Sequence, residues 1–426
     1  LADDGLLSDE LLRELMAVGE VDILVGVTTY NNADTIRQVM ASIQAAFIRF
    51  FPRQRTVLIA ADAGSQDETR RHVAEAATGD FRPVVAAEAL RTIQRIAVPY
   101  HGVAGRGAAL RTIFAAAELT RAKACAVVGG DAAGLTPEWI ERLVRPVLRD
   151  GYDFVAPLYR RHPLDGLLLR NLLYPAMCAL YGVRIREPLS DEYGVSARLA
   201  GRLIGHPVWD TELGRVGIDL WLTAAAAASG LKACEAVLGP RLAASRSGGP
   251  PVHELVQQVV GSLFECLELH VDHWRAPHEA RAVPVLGDEA WADPEPVLPD
   301  GRPMLERFRS DVAELAGVLQ RILAPDTFAA VGALAAQHGD GLPFPDTLWV
   351  RTVYDLAASY HRGVIHRRHL LQAIPPLYLG RAGSFVLEHQ HRPPADVERA
   401  VEELCCTFER ERPYLRERWD DAASPP

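Results

Sequence analysis

Between Val21 and about Ala243 the chain alternates apolar, strand-like runs with stretches of helical period. The strand candidates are Ile23–Val27, Thr56–Ala60, Arg95–Val98, Ala124–Val128 and Phe154–Pro157. Between them, Ala33–Phe51, Gln66–Thr78, Gly107–Leu119 and Pro137–Arg149 repeat apolar residues at helical spacing and end in turn residues. Alternation of this kind predicts an α/β fold, a mostly parallel sheet with helices on both faces. Functional residues then belong on loops beyond the carboxyl ends of the strands. The alanine run Ala224–Ala228 reads as a packed helix within Ile218–Ser229, because alanine is the best helix former.

The second part of the chain differs. Prolines 284, 294, 296, 299 and 303 stand among acidic residues and mark a linker or extended loop over 281–303. Beyond it Met304–Leu323, Asp346–His361, Arg367–Ile374 and Ala395–Arg412 read as helices, the last two stopped by Pro375 and Pro413. No strand of comparable strength follows, and no repeat is visible. The expected division is therefore a sheet domain over 1–280, the linker, and a helical subdomain over 304–426. A chain of 426 residues exceeds the usual size of one domain, which agrees with two units.

Apolar residues make up 49% and charged residues 23%, enough for a sizeable core in an ordinary globular protein. The net charge of −10 argues against a general nucleic-acid binder, which needs a basic face. Cys125, Cys178, Cys234, Cys266, Cys405 and Cys406 lack metal-type spacing and read as reduced, mostly buried thiols. Leu1-Ala2-Asp3-Asp4 contains neither a basic region nor an apolar run, so no signal peptide is expected. No stretch reaches the ~18–20 apolar residues of a membrane span. The site is expected to face the cytoplasm.

Three strand tips carry polar residues suited to a ligand. Thr28-Thr29-Tyr30-Asn31-Asn32 follows the first strand, Asp62-Ala63-Gly64-Ser65 the second, and Gly129-Gly130-Asp131 the Ala124–Val128 run. Asp62 alone reads as a structural Asx turn and helix cap, and in company with Thr28-Thr29-Tyr30 as a contact to a nucleobase. Gly102-Val103-Ala104-Gly105-Arg106-Gly107 opens a helix and could cradle a phosphate, with Arg106 as a bidentate donor. A dehydrogenase fingerprint would lie after the first strand, so this is not one. Tyr159-Arg160-Arg161-His162 suits an anionic acceptor or a solvated turn. Pro188-Leu189-Ser190-Asp191-Glu192 sets two carboxylates before a predicted helix, and Asp219 follows a turn from Gly214 to Gly217. Such carboxylates orient sugar hydroxyls, stabilise an oxocarbenium ion or cap helices, and spacing does not choose among these.

Taken in order, these motifs over residues ~21–270 resemble family 2-like GT-A glycosyltransferases, the group that includes glucosyl-3-phosphoglycerate and mannosylglycerate synthases. The tail containing Phe344-Pro345-Asp346-Thr347-Leu348-Trp349 resembles the helical tail of the same group. The resemblance implies a GT-A (Rossmann-like) sheet and transfer of a sugar from a UDP- or GDP-sugar to a small, glycerate-like or unidentified acceptor, with retention. It implies that Thr28, Thr29, Tyr30, Asn32, Asp62, Ser65, Arg106 and Asp131 hold the nucleotide sugar. Asp131, Asp219 and Glu192 take the catalytic positions, and Arg161 and Asp219 the acceptor side. A divalent cation, Mg²⁺ or Mn²⁺, falls to Asp131. No nucleic acid or membrane partner is implied, and a homodimer stays open.

Three positions depart from the pattern. Gly129 stands where the first carboxylate of Asp-x-Asp would be, and Ala243 where a metal-binding histidine would be; His253, nearby in sequence, is the candidate metal ligand to replace it if its loop folds back. Leu167-Leu168-Leu169 falls where an Arg-x-Thr would hold phosphoglycerate. Cation binding is therefore expected to be weak or absent, and a catalytically impaired homologue that binds sugar nucleotide or a protein partner is the alternative. A sugar-nucleotide pyrophosphorylase comes third, since its glycine-rich loop would follow the first strand.

Overall fold

A computed structural model of the chain describes residues 7, 9–76, 84–87, 105–240, 251–276, 278–287, 299–337 and 342–421. The strands, in chain order, are β1 (Ile23–Thr29), β2 (Thr56–Asp62), β3 (Val84–Ala87), β4 (Ala124–Gly129), β5 (Phe154–Arg160), β6 (Val183–Arg184), β7 (Tyr193–Ser196), β8 (Ala233–Pro240), β9 (Arg281–Ala282) and β10 (Val285–Leu286). The chain divides into two compact units. One holds Leu1–Arg160, Glu187–Gly249 and Val283–Ala292; the other holds Arg161–Arg186, Pro250–Ala282 and Asp293–Pro426.

The first unit is built on a sheet of eight strands in the order β10-β8-β5-β7-β4-β1-β2-β3. All neighbours run parallel except β7, which is antiparallel to both β4 and β5. Every residue of β1 is buried, as expected of a strand covered on both faces. Helix Ile36–Phe50 turns Ile36, Val39, Met40, Ile43 and Phe47 inward, one face at helical spacing. Helix Pro137–Asp150 presents Trp139, Ile140, Leu143, Val144 and Val147 to the same core. Burying each such side chain stabilises the fold by roughly 1.5–3 kcal/mol. Pro137 fits the first helical turn, where no amide hydrogen is needed.

The parallel sheet and its helices bear out the expected GT-A α/β class. Several boundaries move. β5 continues through Tyr159 and Arg160, so the expected arginine turn begins only at Arg161. Asp191 and Glu192 precede strand β7, not a helix. Gly214 lies in a short helix, Glu212–Val216, and Asp219 in the first turn of helix Ile218–Ala228. The Arg95–Val98 strand lies outside the described residues, as do Gly102–Ala104, Arg241–Ala243, Thr78 and prolines 294 and 296. β3 had no counterpart in the sequence reading.

The second unit is helical, with a small parallel ladder of β6 and β9. Its core gathers Leu164, Tyr174, Cys178, Phe385, Val397, Val401 and Cys405. Fully buried Asp355 accepts hydrogen bonds from Tyr414 Oη (2.8 Å), Arg418 Nε (2.8 Å) and the Ala324 amide (2.9 Å), so its charge is paired as burial demands. The division expected at 281–303 differs from the observed one, because 161–186 and 250–282 pack with the helical unit. A proline run does not tell which core its flanking helices join, and Pro303 itself lies in the first turn of helix Gly301–Glu314. Pro375 and Pro413 stop helices only by starting new ones, Ile374–His389 and Arg412–Asp420, with the proline in the first turn. The expected Met304–Leu323 helix is broken into Gly301–Glu314 and Ala316–Ile322. All six cysteines are free thiols, and only Cys406 is exposed. Among the described residues no helix is long and apolar enough to cross a membrane.

Candidate functional site

The tips of β1, β2 and β4 are adjacent because β1 pairs with both other strands, and their loops are tied together. The Gly130 amide donates to Thr28 O (2.9 Å), and Thr35 Oγ1 donates to Gly130 O (2.6 Å). On the other side the Ala63 amide donates to Thr29 O (2.8 Å), and the Asn31 amide to Ser65 Oγ (2.9 Å). Asn31 has φ +52°, a left-handed conformation that asparagine tolerates, and its Oδ1 accepts from the Gln66 amide at 2.8 Å. Asn32 bridges further: its amide donates to Thr69 Oγ1 (2.7 Å) and its Oδ1 accepts from the Tyr30 amide (2.7 Å). Most of the residues expected around a nucleotide are thus brought together on one rigid edge.

Asp62 is 4% exposed and accepts from Thr29 Oγ1 (3.0 Å), Ser65 Oγ (2.5 Å), the Gly64 amide (3.2 Å), the Ser65 amide (3.1 Å) and Arg70 Nε (2.5 Å). Burial alone would raise its pKa, but the bonds from Ser65 and Arg70 outweigh it and hold the carboxyl below its usual range. The turn-forming role anticipated for Asp62 is therefore realised in full.

Arg106 opens helix Arg106–Leu119 and lies buried beneath the β1 tip. Nε and Nη2 grip Asp219 at 2.7 and 2.8 Å, Nη1 reaches Thr28 Oγ1 at 2.5 Å, and Nη2 reaches Asp191 O at 3.2 Å and its Oδ1 at 3.3 Å. Burial disfavours its charge, yet Asp219 and Asp191 prevail and push the guanidinium pKa still higher. Asp219 is driven up by the same burial and by Asp191, against the pull of Arg106. The two-pronged geometry keeps both partners ionised. Tyr193, buried beside them, has a hydroxyl without a partner among the described residues. Gly107 answers a packing need, since a Cβ there would stand 1.8 Å from Gly214 O.

Three carboxylate residues gather at the β4 tip, one of them Asp191, a partner of Arg106. A Cβ on Gly129 would meet Asp131 Oδ1 at 2.7 Å, Asp191 Cβ at 3.5 Å and Glu192 Oε1 at 3.6 Å. The space that a first aspartate would fill is thus flanked by two carboxylate oxygens from elsewhere. Glu192 is buried and anchored through Oε2, which accepts from Tyr159 Oη and from Ser190 Oγ at 3.2 Å. Tyr159 in turn packs on Trp139 with ring centroids 5.6 Å apart. A Cβ on Gly130 would lie 2.7 Å from Asn32 Oδ1, the atom that accepts from the Tyr30 amide. Among the described residues no three His, Cys, Asp or Glu side chains form a metal shell. Asp131 and Glu192 still fit a hard cation whose remaining ligands are phosphate and water oxygens.

Two expected site residues belong to the helical unit. Arg161 pairs with Asp165 at 3.3 Å. His253 lies on helix Val252–Leu269, largely exposed, with its Nε2 3.9 Å from the neighbouring Glu254. Thr69 and the anchoring role of Tyr159 were not anticipated from the sequence. Asp67 and Thr69 were legible as a helix-entry pair, since Asp67 Oδ1 accepts the Thr69 amide at 3.0 Å.

A mostly parallel, helix-covered sheet with its polar residues collected at the β1, β2 and β4 tips is the GT-A type of α/β fold. Residues 24–186, from β1 to β6, match the model of glycosyl transferase family 2. No curated protein matches the sequence. Among solved structures, glucosyl-3-phosphoglycerate synthase from Mycobacterium tuberculosis in complex with Mn²⁺, UDP and glucosyl-3-phosphoglycerate is similar at 23% identity, over 60% of this chain and 83% of that one, with a TM-score of 0.42. The same enzyme with phosphoglyceric acid aligns at 23% identity over 62% and 85%, TM-score 0.43. With Mg²⁺ and UDP it aligns at 22% identity over 60% and 83%, TM-score 0.41.

Proposed function

We propose that the first unit binds a nucleoside-diphosphate sugar, UDP- or GDP-linked, across the tips of β1, β2 and β4. It then transfers the hexose to a small acceptor. The observation that carries this reading is the convergence of Asp131 and Glu192 on the vacant side of Gly129, beside loops tied into one platform. Thr28, Thr29, Tyr30, Asn32 and Ser65 line the nucleoside end of that platform, and Asp131 faces the diphosphate. A divalent cation held by Asp131 and Glu192 would supply charge neutralisation for the leaving diphosphate. The chain's own residues position the reactants and stabilise charge, and retention follows if the leaving phosphate itself guides attack. The leucines at 167–169 disfavour a phosphorylated acceptor, so a glycerate-like carboxylate or a polyol is the better acceptor. Activated sugars are available in the cytoplasm, where the protein is expected to work.

A second reading, a homologue that binds sugar nucleotide without transferring it, is favoured by the locking of Asp219 onto Arg106. Calorimetry tests the first. Mn²⁺ should bind weakly to the protein alone and clearly once UDP or GDP is present, because diphosphate completes the shell. Tight binding of Mn²⁺ without nucleotide, or none with it, would overturn the assignment. Clear binding without sugar turnover on any carboxylate or polyol acceptor would select the second reading.

A further inference from the structure

The helical unit contains a cavity of its own, of about 460 Å³, lined among others by Leu315, Val318, Arg321, His366, His369 and Gln372. None of its lining residues is a carboxylate. The volume falls within the range of roughly 300–1,000 Å³ typical of small-molecule sites. Arg321 forms no hydrogen bond or ion pair with any described residue, so its five donors are uncommitted within the described protein. That sets it apart from Arg367, which is held by Glu265 at 2.8 Å, and Arg381, held by Asp346 at 2.7 Å. His366 accepts the Arg368 amide on Nδ1 at 3.3 Å, which places its ring proton on Nε2 as a donor. The His369 ring stands 5.7 Å from that of His366. Gln372 adds an amide. Leu315 and Val318 supply an apolar wall.

We infer that this cavity binds a small organic phosphate, its phosphate on Arg321 and the two histidines and its apolar body on Leu315 and Val318. Several nitrogen donors around one cavity suit a tetrahedral anion with three free oxygens better than a planar carboxylate, which engages two donors well. The wall of leucine and valine calls for a carbon skeleton, so inorganic phosphate alone leaves that surface wet.

Phenyl phosphate serves as the probe, titrated calorimetrically into the full chain. Saturable binding is expected, with inorganic phosphate weaker and phenol silent. Arg321→Ala should weaken binding about ten-fold, the loss expected of one charge-assisted contact, and Arg321→Ala with His369→Ala further. Both residues are exposed, so the variants should remain folded, as unchanged circular dichroism would verify. Asp131→Ala should bind the probe as the parent does, which separates this cavity from the nucleotide-sugar site. Absence of saturable binding, equal affinity in the Arg321 variants, or loss of binding in Asp131→Ala would each overturn the inference.

Discussion

Arg106 and Asp219 lie 113 residues apart and meet as a buried two-pronged ion pair, with Nε–Oδ2 and Nη2–Oδ1 distances of 2.7 and 2.8 Å. Together with the bond to Thr28 Oγ1, the pair joins the start of one helix, the first turn of another and the tip of β1. A guanidinium so committed acts first as a clamp on the site's floor.

Removing one partner should be costly, because the other is left charged in a dry place. Arg106→Met is expected to destabilise the protein by about 3–5 kcal/mol in denaturant unfolding. The double substitution Arg106→Met with Asp219→Leu should lose less than Arg106→Met alone. If the double variant loses more, an unpaired buried charge is not what makes the single substitution costly.

Gly129→Ala tests the carboxylate arrangement directly. The new methyl would stand 2.7 Å from Asp131 Oδ1, the end of a half-buried side chain that can swing aside. Stability should change by no more than about 1 kcal/mol. Mn²⁺-dependent nucleotide binding should weaken about ten-fold, since the displaced oxygen is a proposed ligand. Unaltered binding by calorimetry would remove Asp131 from that role.

Tyr159→Phe keeps the ring against Trp139 and deletes the donor to Glu192. The buried carboxylate then loses one of its donors and keeps Ser190, and unfolding in urea should show a loss of about 1–3 kcal/mol. Glu192→Gln should suffer less in stability but should lose the nucleotide-dependent Mn²⁺ heat. A stable Glu192→Gln protein with undiminished heat would place the second carboxylate elsewhere.

Asp62 predicts a pH dependence. Its folded pKa is held below the ordinary value, so its contribution is fully present above the unfolded pKa of about 3.9 and fades as pH falls through the folded value. The stability difference between the parent and Asp62→Asn should be constant near neutrality and shrink below about pH 4. A difference that grows on acidification would contradict the bonds from Ser65 and Arg70.

Much of the sheet is legible in the sequence because its strands are buried on both faces. Ile23–Val27 and Ala124–Val128 read as unbroken apolar runs for that reason. β7 escaped notice since Tyr193-Gly194-Val195-Ser196 is short and its glycine breaks the pattern. The β1, β2 and β4 tips were legible as polar residues ending apolar runs. The Arg106–Asp219 pair was not, because nothing local links residues so far apart. Asp62 shows the opposite case, where local turn chemistry told most of what the fold does with the side chain.

The reversed strand at the middle of the sheet has a consequence for synthesis. β7 joins β4 on one side to β5 on the other, so a nascent chain that ends before Tyr193 carries β4 with one side unzipped and β5, whose other neighbour β8 is also still to come, with both. Such unpaired edges invite pairing with other chains. A ribosome pausing between Arg161 and Glu192 would hold this protein at its most adhesive, and the arrival of four residues would close the open side of β4 and one side of β5 at once, leaving only the β8 side of β5 to be covered.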